Sequence, residues 1–321
     1  MRPTGKLHLG HLLGALNNWV ALQEKYDCFY FVADWHALTS DYADTSELTA
    51  NAIDNAADWI AAGLDPERST FFLQSLVPEH AELHLLLSMI IPIPWLERVP
   101  TYKEQQEQVT DKDLSTYGFL GYPLLQTADI IIYDAHYVPV GEDQVPHLEL
   151  SREVVRRFHG FYGDVFVEPQ PLLTHFPRLP GLDNRKMSKS YGNAINLTDD
   201  PETVKKKVRQ MYTDPKRVRA DVPGTVEGNP VFIYHDAFNT DKAEVEDLKA
   251  RYRAGKVGDV EVKDKLSRAM NAALEPLRER RAAVLQTPGR VREILFEGSA
   301  RARKVAMETM ERVRDSVKLK Y

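Results

Sequence analysis

The stretch CFYFVADWHALTSDYADTSELTANAIDNAADWIAAGLDPERSTFFLQS (residues 28–75) decides the fold class. Its apolar runs 28–34 and 69–75 predict two buried strands, and the segment 46–65 between them predicts a helix. Strand, helix and strand in this order indicate a parallel βαβ unit. We therefore expect an α/β fold with a Rossmann-like parallel sheet of the kind that binds nucleotides.

Turn and cap residues extend this pattern along the first half of the chain. Ser46 is a plausible N-cap and Gly63 a plausible C-cap of the first predicted helix. The apolar run 128–133 fits a helix or a strand, whereas HYVPVG (136–141) predicts a strand that ends at a glycine. The amphipathic segment 144–158 predicts a helix. The first half is thus expected to alternate strands and helices.

The second half has a different pattern. The Pro- and Gly-rich segment 171–193 predicts mostly loop, and the helical patterns that follow include a long one at 259–285. Strand signals are scarce beyond this point. We therefore expect a catalytic nucleotide-binding domain at 1–195, which includes a dimerisation insertion, and an all-α domain at 196–321.

Composition limits the class of protein. The chain has 321 residues, and we find no run of about 18 apolar residues, so neither a membrane span nor a signal peptide is expected. The single cysteine, Cys28, excludes an internal disulfide framework and a cysteine-based zinc site and favours a reducing, cytoplasmic setting. The net charge of −6 argues against a protein that coats nucleic acid. Basic clusters at 205–209, 278–281 and 301–304 are either solvated helix faces or local phosphate contacts.

Two histidines stand at the start of the first apolar helix, in GKLHLGHLLGAL (5–16). His8 and His11 can donate hydrogen bonds to phosphate oxygens, and Gly10 lets a ligand approach the backbone closely. A helix N-terminus adds free N–H groups that favour an anion. The alternative is an ordinary helix start with two polar residues. A metal site is disfavoured because no third ligand is evident.

A basic loop, KMSKS (186–190), is the second candidate. Lys186 and Lys189 would suit a leaving group that gains negative charge, such as pyrophosphate, and Ser188 and Ser190 add hydroxyl donors. An ordinary basic surface loop would have the same composition. This motif alone does not decide between the two.

The third candidate is VGEDQ (140–144), which follows the predicted strand HYVPVG. Loops at the carboxyl ends of parallel strands are where α/β sheets bind ligands. Gly141 allows close approach, and Asp143 and Gln144 can bond ribose hydroxyls. A turn followed by a helix N-cap is the alternative interpretation.

Along the chain the three motifs come in the order H-x-G-H, G-x-D-Q and K-M-S-K-S. In this order they resemble the motifs of the class I aminoacyl-tRNA synthetases. RPTGKLHLGH, YPLLQTADIIIYDAHYVPVGEDQVPHLELSREVVRRF and KMSKS are similar in particular to the tryptophanyl-tRNA synthetases of bacteria, and the resemblance covers essentially the whole chain. It implies a tryptophan–tRNA ligase (EC 6.1.1.2) that forms tryptophanyl-AMP from L-tryptophan and ATP and then loads tRNA(Trp). It also implies a homodimer and an anticodon-recognising role for the helical domain.

The resemblance also implies which residues form the site. Catalysis is expected from His8, His11, Lys186 and Lys189. The expected ATP-binding residues are Arg2, Pro3, Thr4, Gly10, His11, Gly141, Glu142, Asp143, Leu182, Lys186, Met187, Ser188, Lys189 and Ser190. The expected tryptophan-binding residues are Asp129, His36, Tyr122, Gln126, Val138, Val140 and Gln144. Gln126 departs from the apolar residue that many relatives carry.

Physical chemistry agrees with these assignments at two points. The indole N–H is only a donor, so a buried carboxylate such as Asp129 is its natural partner. Attack of the tryptophan carboxylate on the α-phosphorus needs positioning and charge stabilisation and no protein nucleophile. Mg²⁺ is expected on the ATP phosphates and water, with no protein metal site. No editing domain is expected, because smaller amino acids cannot fill a tryptophan pocket.

Other functions remain open from the sequence. A tyrosyl-tRNA synthetase-like enzyme would share the class I core, and an adenylyltransferase would share H-x-G-H but lack the helical half. A synthetase paralogue with a regulatory or binding role would retain the same motifs. ATP–pyrophosphate exchange with each amino acid separates these functions.

The position of the first motif raises a structural question. In a βα nucleotide site the phosphate-binding helix follows a strand, yet the signature here begins at Arg2. Relatives carry a short apolar strand upstream, so we expect the natural chain to begin several residues earlier. A shortened enzyme whose sheet closes differently is the alternative. The first case predicts a gap or unpaired strand edges beside residues 2–8.

Overall fold

The protein is an α/β structure in which helices far outnumber strands. The computed structural model describes residues 1–108, 112–173, 179–187, 191–217 and 219–321. The helices of these residues are α1 (Leu9–His11), α2 (Asn17–Leu22), α3 (Asp34–Asp41), α4 (Leu48–Ala62), α5 (Glu79–Ser88), α6 (Ile93–Glu97), α7 (Pro100–Gln108), α8 (Tyr117–Ile131), α9 (Val145–Tyr162), α10 (Pro201–Arg209), α11 (Pro230–Phe238), α12 (Lys242–Arg253), α13 (Asp259–Leu285) and α14 (Arg290–Ser316). No helix in the described part of the chain is long and apolar enough to cross a membrane.

The predicted βαβ unit is present. Strand β1 (Cys28–Val32) pairs in parallel with β2 (Ser69–Leu73), with Cys28 opposite Ser69 and Val32 opposite Leu73. Helix α4 connects them and ends where predicted, because Gly63 adopts the left-handed conformation with φ of 112°. A residue with a Cβ is strained there, which explains the glycine. The α/β class and the order of these three elements are confirmed.

Several local expectations were wrong or incomplete. Ser46 does not cap α4, because its N–H and hydroxyl bond the Asp44 carboxylate and the N-cap position falls on Glu47. Within the ambiguous run 128–133, residues 128–131 are the end of α8 and residues 132–133 begin the turn that follows it. The segment predicted to be mostly loop begins within a strand, β4 (Gln170–Leu173). The Pro and Gly content of this segment gave no indication of β4, which is extended because it pairs with β3 (Tyr137–Val140).

The strands form two separate pairs within the described residues, β1–β2 and β3–β4, each parallel. At the other edge of β1, the Met1 nitrogen lies 2.6 Å from the Phe31 carbonyl oxygen, and the Met1 carbonyl accepts from the Ala33 N–H. A cavity of about 570 Å³ lies between β1 and β3 and is lined by residues of both strands. The strands of the described residues therefore form no continuous sheet, and the lining of this cavity includes none of residues 1–8.

The helical second half packs directly on the first. Helix α14 covers β2, α13 packs on α4, and Leu7, Phe71 and Val291 belong to one continuous hydrophobic core. The contact between α14 and β2 is very close, because a Cβ on Gly298 would lie 1.8 Å from the Phe71 carbonyl oxygen. The predicted domains 1–195 and 196–321 remain a prediction, since this core spans the proposed boundary.

The basic clusters mostly face acidic partners within the protein. Arg281 bonds the Asp58 carboxylate at 2.8 Å and Asp54 at 2.6 Å, and Arg303 bonds Glu79 at 2.9 Å. Lys207 likewise bonds Asp199 at 2.6 Å. Arg281 and Arg303 join the helical half to the first half of the chain, whereas the pair of Lys207 and Asp199 lies within the helical half. Cluster membership by itself therefore does not mark a phosphate contact.

We expect Gly298→Ala to lower the free energy of unfolding by about 1–3 kcal/mol, because the new methyl group would force α14 away from β2. Gly160→Ala is the matched control, since a Cβ there meets nothing within 4 Å on the exposed end of α9. The control should be unchanged or up to about 1 kcal/mol more stable. Urea unfolding measures both, and equal stability of the two variants would contradict the close contact.

Candidate active site

Two histidines cap the first helix through each other. His8 is the N-cap residue of α1, and its Nδ1 accepts the Gly10 N–H at 3.1 Å. The Nδ1 of His11 accepts the His8 N–H at 3.1 Å. Because both Nδ1 atoms accept, the ring protons of the neutral imidazoles lie on Nε2. Each ring therefore has a donor at Nε2, the atom that a phosphate contact would need.

Met187 of the KMSKS motif lies beside Gly10 of the first motif, although about 180 residues separate them. Residues 7–9 run antiparallel to 195–197: the Leu9 N–H donates to the Ile195 carbonyl at 3.0 Å, and the Leu197 N–H donates to the Leu7 carbonyl at 2.9 Å. A Cβ on Gly10 would lie 2.9 Å from the His8 ring and 3.3 Å from Met187 Sδ. The glycine thus lets the KMSKS loop approach the histidines.

The base of the KMSKS loop is braced by one amide. Asn193 Nδ2 donates to the Lys186 carbonyl at 3.1 Å and to the Asp183 carboxylate at 2.8 Å. The Lys186 side chain is exposed, and Leu182 is buried with its N–H bonded to the Asn193 carbonyl. Ser188, Lys189 and Ser190 lie outside the described residues, so their roles stay predictions.

The VGEDQ motif lies where the sequence predicts it. Strand β3 ends at Val140, and a 3-10 turn, Glu142–Gln144, leads into α9. Glu142 and Asp143 are exposed at this turn. The space at Gly141 is taken by the Asp143 carboxylate, whose Oδ1 would lie 2.8 Å from a Cβ at that position.

A cavity of about 380 Å³ gathers most of the predicted tryptophan-binding residues. Residues predicted for the site that line it are Arg2, His36, Tyr122, Gln126, Asp129 and Gln144. Phe31, Thr39, Phe119 and His147 also line it and were not predicted. The cavity is therefore walled by aromatic rings with a carboxylate and two amides, a composition typical of a small-molecule site.

Other predicted residues lie elsewhere. Val138 lines the larger cavity between β1 and β3, which Asp129 also borders, so that carboxylate stands between the two spaces. Val140 is buried at the end of β3. Pro3 and Thr4 line a smaller hollow of about 180 Å³ beside α3 and α4. The structure thus does not bring Val138, Pro3 or Thr4 into the same cavity as Tyr122 and Gln126.

The Asp129 carboxylate has three side-chain hydrogen-bond partners. Its Oδ2 lies 2.7 Å from His36 Nε2, and its Oδ1 lies 2.5 Å from His80 Nδ1. Gln74 Nε2 donates to both oxygens, at 2.8 and 3.0 Å. Asp129 is 4% exposed, so a carboxylate here needs these donors to remain charged.

These partners settle the protonation state of Asp129. Burial raises the pKa of its carboxyl group, but the interactions with His36 and His80 outweigh burial and hold the pKa well below its usual range. Burial lowers the pKa of the neighbouring His147 to about 4. At pH 7 the cavity therefore presents an anionic Asp129 and a neutral His147.

Sequence reasoning missed the residues behind Asp129. Gln74 directly follows β2 at the carboxyl end of a parallel strand, a position that could have been suspected. His80 lies on α5, and Tyr133 lies just after α8. A hydrogen bond joins them, with 2.6 Å between His80 Nε2 and the Tyr133 hydroxyl. No motif marks either residue, because their contact depends on how α5 packs against α8.

Metal ligation is not a feature of this site in the part of the chain that the structure describes. No group of three or more His, Cys, Asp or Glu side chains there has an arrangement that could hold a metal ion. His36, His80 and Asp129 are adjacent, but their polar atoms bond one another.

A family comparison defines the class of protein. The protein-family model described as "tRNA synthetases class I (W and Y)" matches residues 1–275 of this chain. The chain therefore belongs to this family of class I tRNA synthetases.

Individual relatives point to one member of that class. The chain is 50% identical to the tryptophan–tRNA ligase of Treponema pallidum, over 99% of this chain and 95% of that protein. It is also 50% identical to the tryptophan–tRNA ligase of Thermotoga maritima, over 100% of this chain and 98% of that protein. A crystal structure of tryptophanyl-tRNA synthetase from Campylobacter jejuni, complexed with ADP and tryptophan, superposes with a TM-score of 0.90 at 33% identity, over 99% of this chain and 98% of that one.

We expect Gly10→Ala to slow ATP–pyrophosphate exchange by about tenfold to 100-fold, because the methyl group would displace the His8 ring. Gly14→Ala is the matched control in the following turn, where a Cβ meets nothing within 4 Å. Thermal unfolding should show both variants folded. Wild-type exchange by Gly10→Ala would contradict a role for the His8 position.

Proposed function

We propose that this chain is a tryptophan–tRNA ligase that works in two steps. The carboxylate of L-tryptophan attacks the α-phosphorus of ATP, pyrophosphate leaves, and tryptophanyl-AMP remains. The tryptophanyl group then passes to the terminal ribose of tRNA(Trp), and AMP is released. The observation that carries the proposal is Asp129, a carboxylate buried among side-chain donors at the wall of an aromatic cavity in a chain of this family.

Asp129 is a suitable partner for the indole of tryptophan. The indole N–H can only donate, and a carboxylate can only accept, so the two match without any change of protonation. A bond between them in a buried cavity is charge-assisted, and its loss would be costly. Tyr122 and Gln144 line the same cavity and would hold the α-ammonium group, and His36 and Gln126 line it beside them. Val138 and Val140, which do not line this cavity, would contact the substrate from β3.

The chemistry requires the reactants to be held in line and the phosphate charge to be stabilised. His8 and His11 would donate from Nε2 to the phosphates. Lys186 and Lys189 would act on the charge that develops on pyrophosphate as it leaves. Because this charge is greatest in the transition state, the lysines should affect the rate of adenylate formation more than tryptophan affinity.

The rest of the ATP site follows from the three motifs. The ribose would bond Asp143 beside Gly141 and Glu142. The remaining contacts would come from Arg2, Pro3, Thr4, Gly10, Leu182, Met187, Ser188 and Ser190. Mg²⁺ would arrive bound to the ATP phosphates, in keeping with the oxygen ligands it prefers, and it needs no protein ligand set.

The helical half, 196–321, would recognise the tRNA anticodon. Unstacked RNA bases are bound by stacking on aromatic or arginine side chains and by contacts to phosphates. A cytoplasmic location fits a single buried cysteine and a substrate that takes part in translation. The site needs no editing domain, because a smaller amino acid would leave the cavity partly empty.

ATP–pyrophosphate exchange with each of the twenty amino acids tests the proposal. We expect exchange with tryptophan alone, followed by tryptophanylation of tRNA(Trp). Exchange with tyrosine and not tryptophan would favour the tyrosyl alternative. A folded protein that exchanges with no amino acid would favour a paralogue with a binding or regulatory role.

We further propose that the chain acts as a homodimer through the catalytic half. Leu85, Met89 and Ile93 follow one another at a spacing of four residues along α5 and the start of α6, and all three are exposed. Exposed apolar side chains in such a group are typical of a protein–protein interface. Two copies related by a twofold axis would cover the patch on each other.

We expect the wild type to have the mass of a dimer in light scattering. Met89→Glu should shift the mass toward that of a monomer, because it places a charge in the proposed interface. Val260→Glu is the control: Val260 is 71% exposed on α13, as Met89 is 70% exposed on the catalytic half. That variant should keep the wild-type mass. A monomeric wild type, or dimers of Met89→Glu as stable as the wild type, would contradict the proposal.

A further inference from the structure

A fully buried histidine stands behind Asp129 and is itself held by a tyrosine. His80 is 0% exposed at the start of α5. Its Nδ1 lies 2.5 Å from Asp129 Oδ1, and its Nε2 lies 2.6 Å from the Tyr133 hydroxyl. The Tyr133 ring packs against Phe29 and Phe72, with centroids 4.9 and 5.4 Å away. The three groups therefore form one rigid chain, Tyr133–His80–Asp129.

The donors around Asp129 divide into a front and a back. His36 borders the cavity beside Asp129, whereas Gln74 and His80 are completely buried. A carboxylate offers about four acceptor positions, and an incoming donor can reach only those that face the cavity. Oδ1 is bonded only from the back among the described residues, by Gln74 and His80, whereas Oδ2 bonds Gln74 and, at the cavity side, His36. Oδ2 is therefore the oxygen that an indole N–H would meet.

One proton on His80 satisfies the whole chain. A carboxylate accepts only, so the proton lies on Nδ1, and Nε2 is left to accept from the Tyr133 hydroxyl. Burial and the nearby Asp129 charge raise the pKa of Tyr133, which keeps that hydroxyl a donor. Tyr133 thereby fixes the tautomer in which His80 donates to Asp129.

We propose that His80 is a positioning residue for indole recognition, which holds the Asp129 carboxylate so that Oδ2 faces the amino-acid cavity, and that Tyr133 holds His80 for this task. The inference rests on the proposed function. The last torsion of an aspartate side chain is broad, so the side chain itself does not fix the plane of its carboxylate. Gln74 bonds both oxygens, and His80 adds the bond to Oδ1 that resists rotation.

Three variants separate this role from simple packing. His80→Leu removes the donor. His80→Asn keeps an N–H donor near the position of Nδ1, and Tyr133→Phe removes only the hydroxyl that holds the His80 tautomer while retaining the ring contacts. Thermal unfolding shows whether each variant is folded. If His80→Leu does not fold, Tyr133→Phe still tests the role.

The readout is a pair of ligands that differ at one atom. Tryptophan and 3-benzothienylalanine, in which sulfur replaces the indole N–H, have the same size and shape. Calorimetry gives the dissociation constant of each. A positioning defect weakens tryptophan only, because the analogue has no N–H to offer Asp129. A collapsed cavity weakens both ligands equally.

We expect His80→Leu to weaken tryptophan binding by about tenfold to 100-fold, in line with the loss of a bond to a charged group, and to leave the analogue unchanged. Tyr133→Phe should have a smaller effect in the same direction, and His80→Asn should recover most of the affinity. Exchange kinetics should show the ATP KM unchanged.

Equal weakening of tryptophan and the analogue in His80→Leu, or unchanged tryptophan affinity in both His80→Leu and Tyr133→Phe, would overturn the inference. The wild type tests the proposed function separately. A wild type that supports tryptophan exchange and variants that keep its selectivity would leave the proposed function standing without the positioning role.

Discussion

The buried charge of Asp129 is the constraint on which the site depends. An anion removed from water costs several kcal/mol unless donors replace the lost hydration. Its donors come from α3, from the turn after β2 and from α5, while Asp129 itself lies on α8. These elements must therefore keep one arrangement for the charge to be satisfied. The cavity that borders the carboxylate has a fixed wall for the same reason.

A second constraint brings the first motif close to the start of the KMSKS motif. Residues 7–9 run antiparallel to 195–197, and Met187 lies beside Gly10, between the two histidines of the first motif. Gly10 is small enough to leave room for both His8 and Met187. The cavity beside Asp129 and the proposed phosphate-binding groups are thus built on different interactions. A variant can accordingly disturb one without the other.

Helix α14 of the helical half contacts the residues next to Gln74 and His80, two of the donors to Asp129. Ser299 of α14 accepts a hydrogen bond from the Leu73 N–H at 3.1 Å, one residue before Gln74. Arg303 bonds the carboxylate of Glu79, which is adjacent to His80. Because these contacts reach the residues next to the donors of Asp129, the helix stabilises the back of the amino-acid site. The two halves of the chain are consequently coupled through packing.

The sequence alone determined the βαβ unit, the helical second half and the motifs of the class I tRNA synthetases, because apolar periodicity, caps and short motifs are local properties of the chain. It also predicted Asp129, His36, Tyr122, Gln126 and Gln144 as neighbours, and the structure places them around one cavity. Only the tertiary structure showed that Ser46 does not cap α4, that β4 pairs with β3, and that His80 and Tyr133 hold Asp129. These features depend on contacts between segments far apart in sequence, and a side chain's partner in such a contact is set by how the helices pack rather than by its own neighbours along the chain.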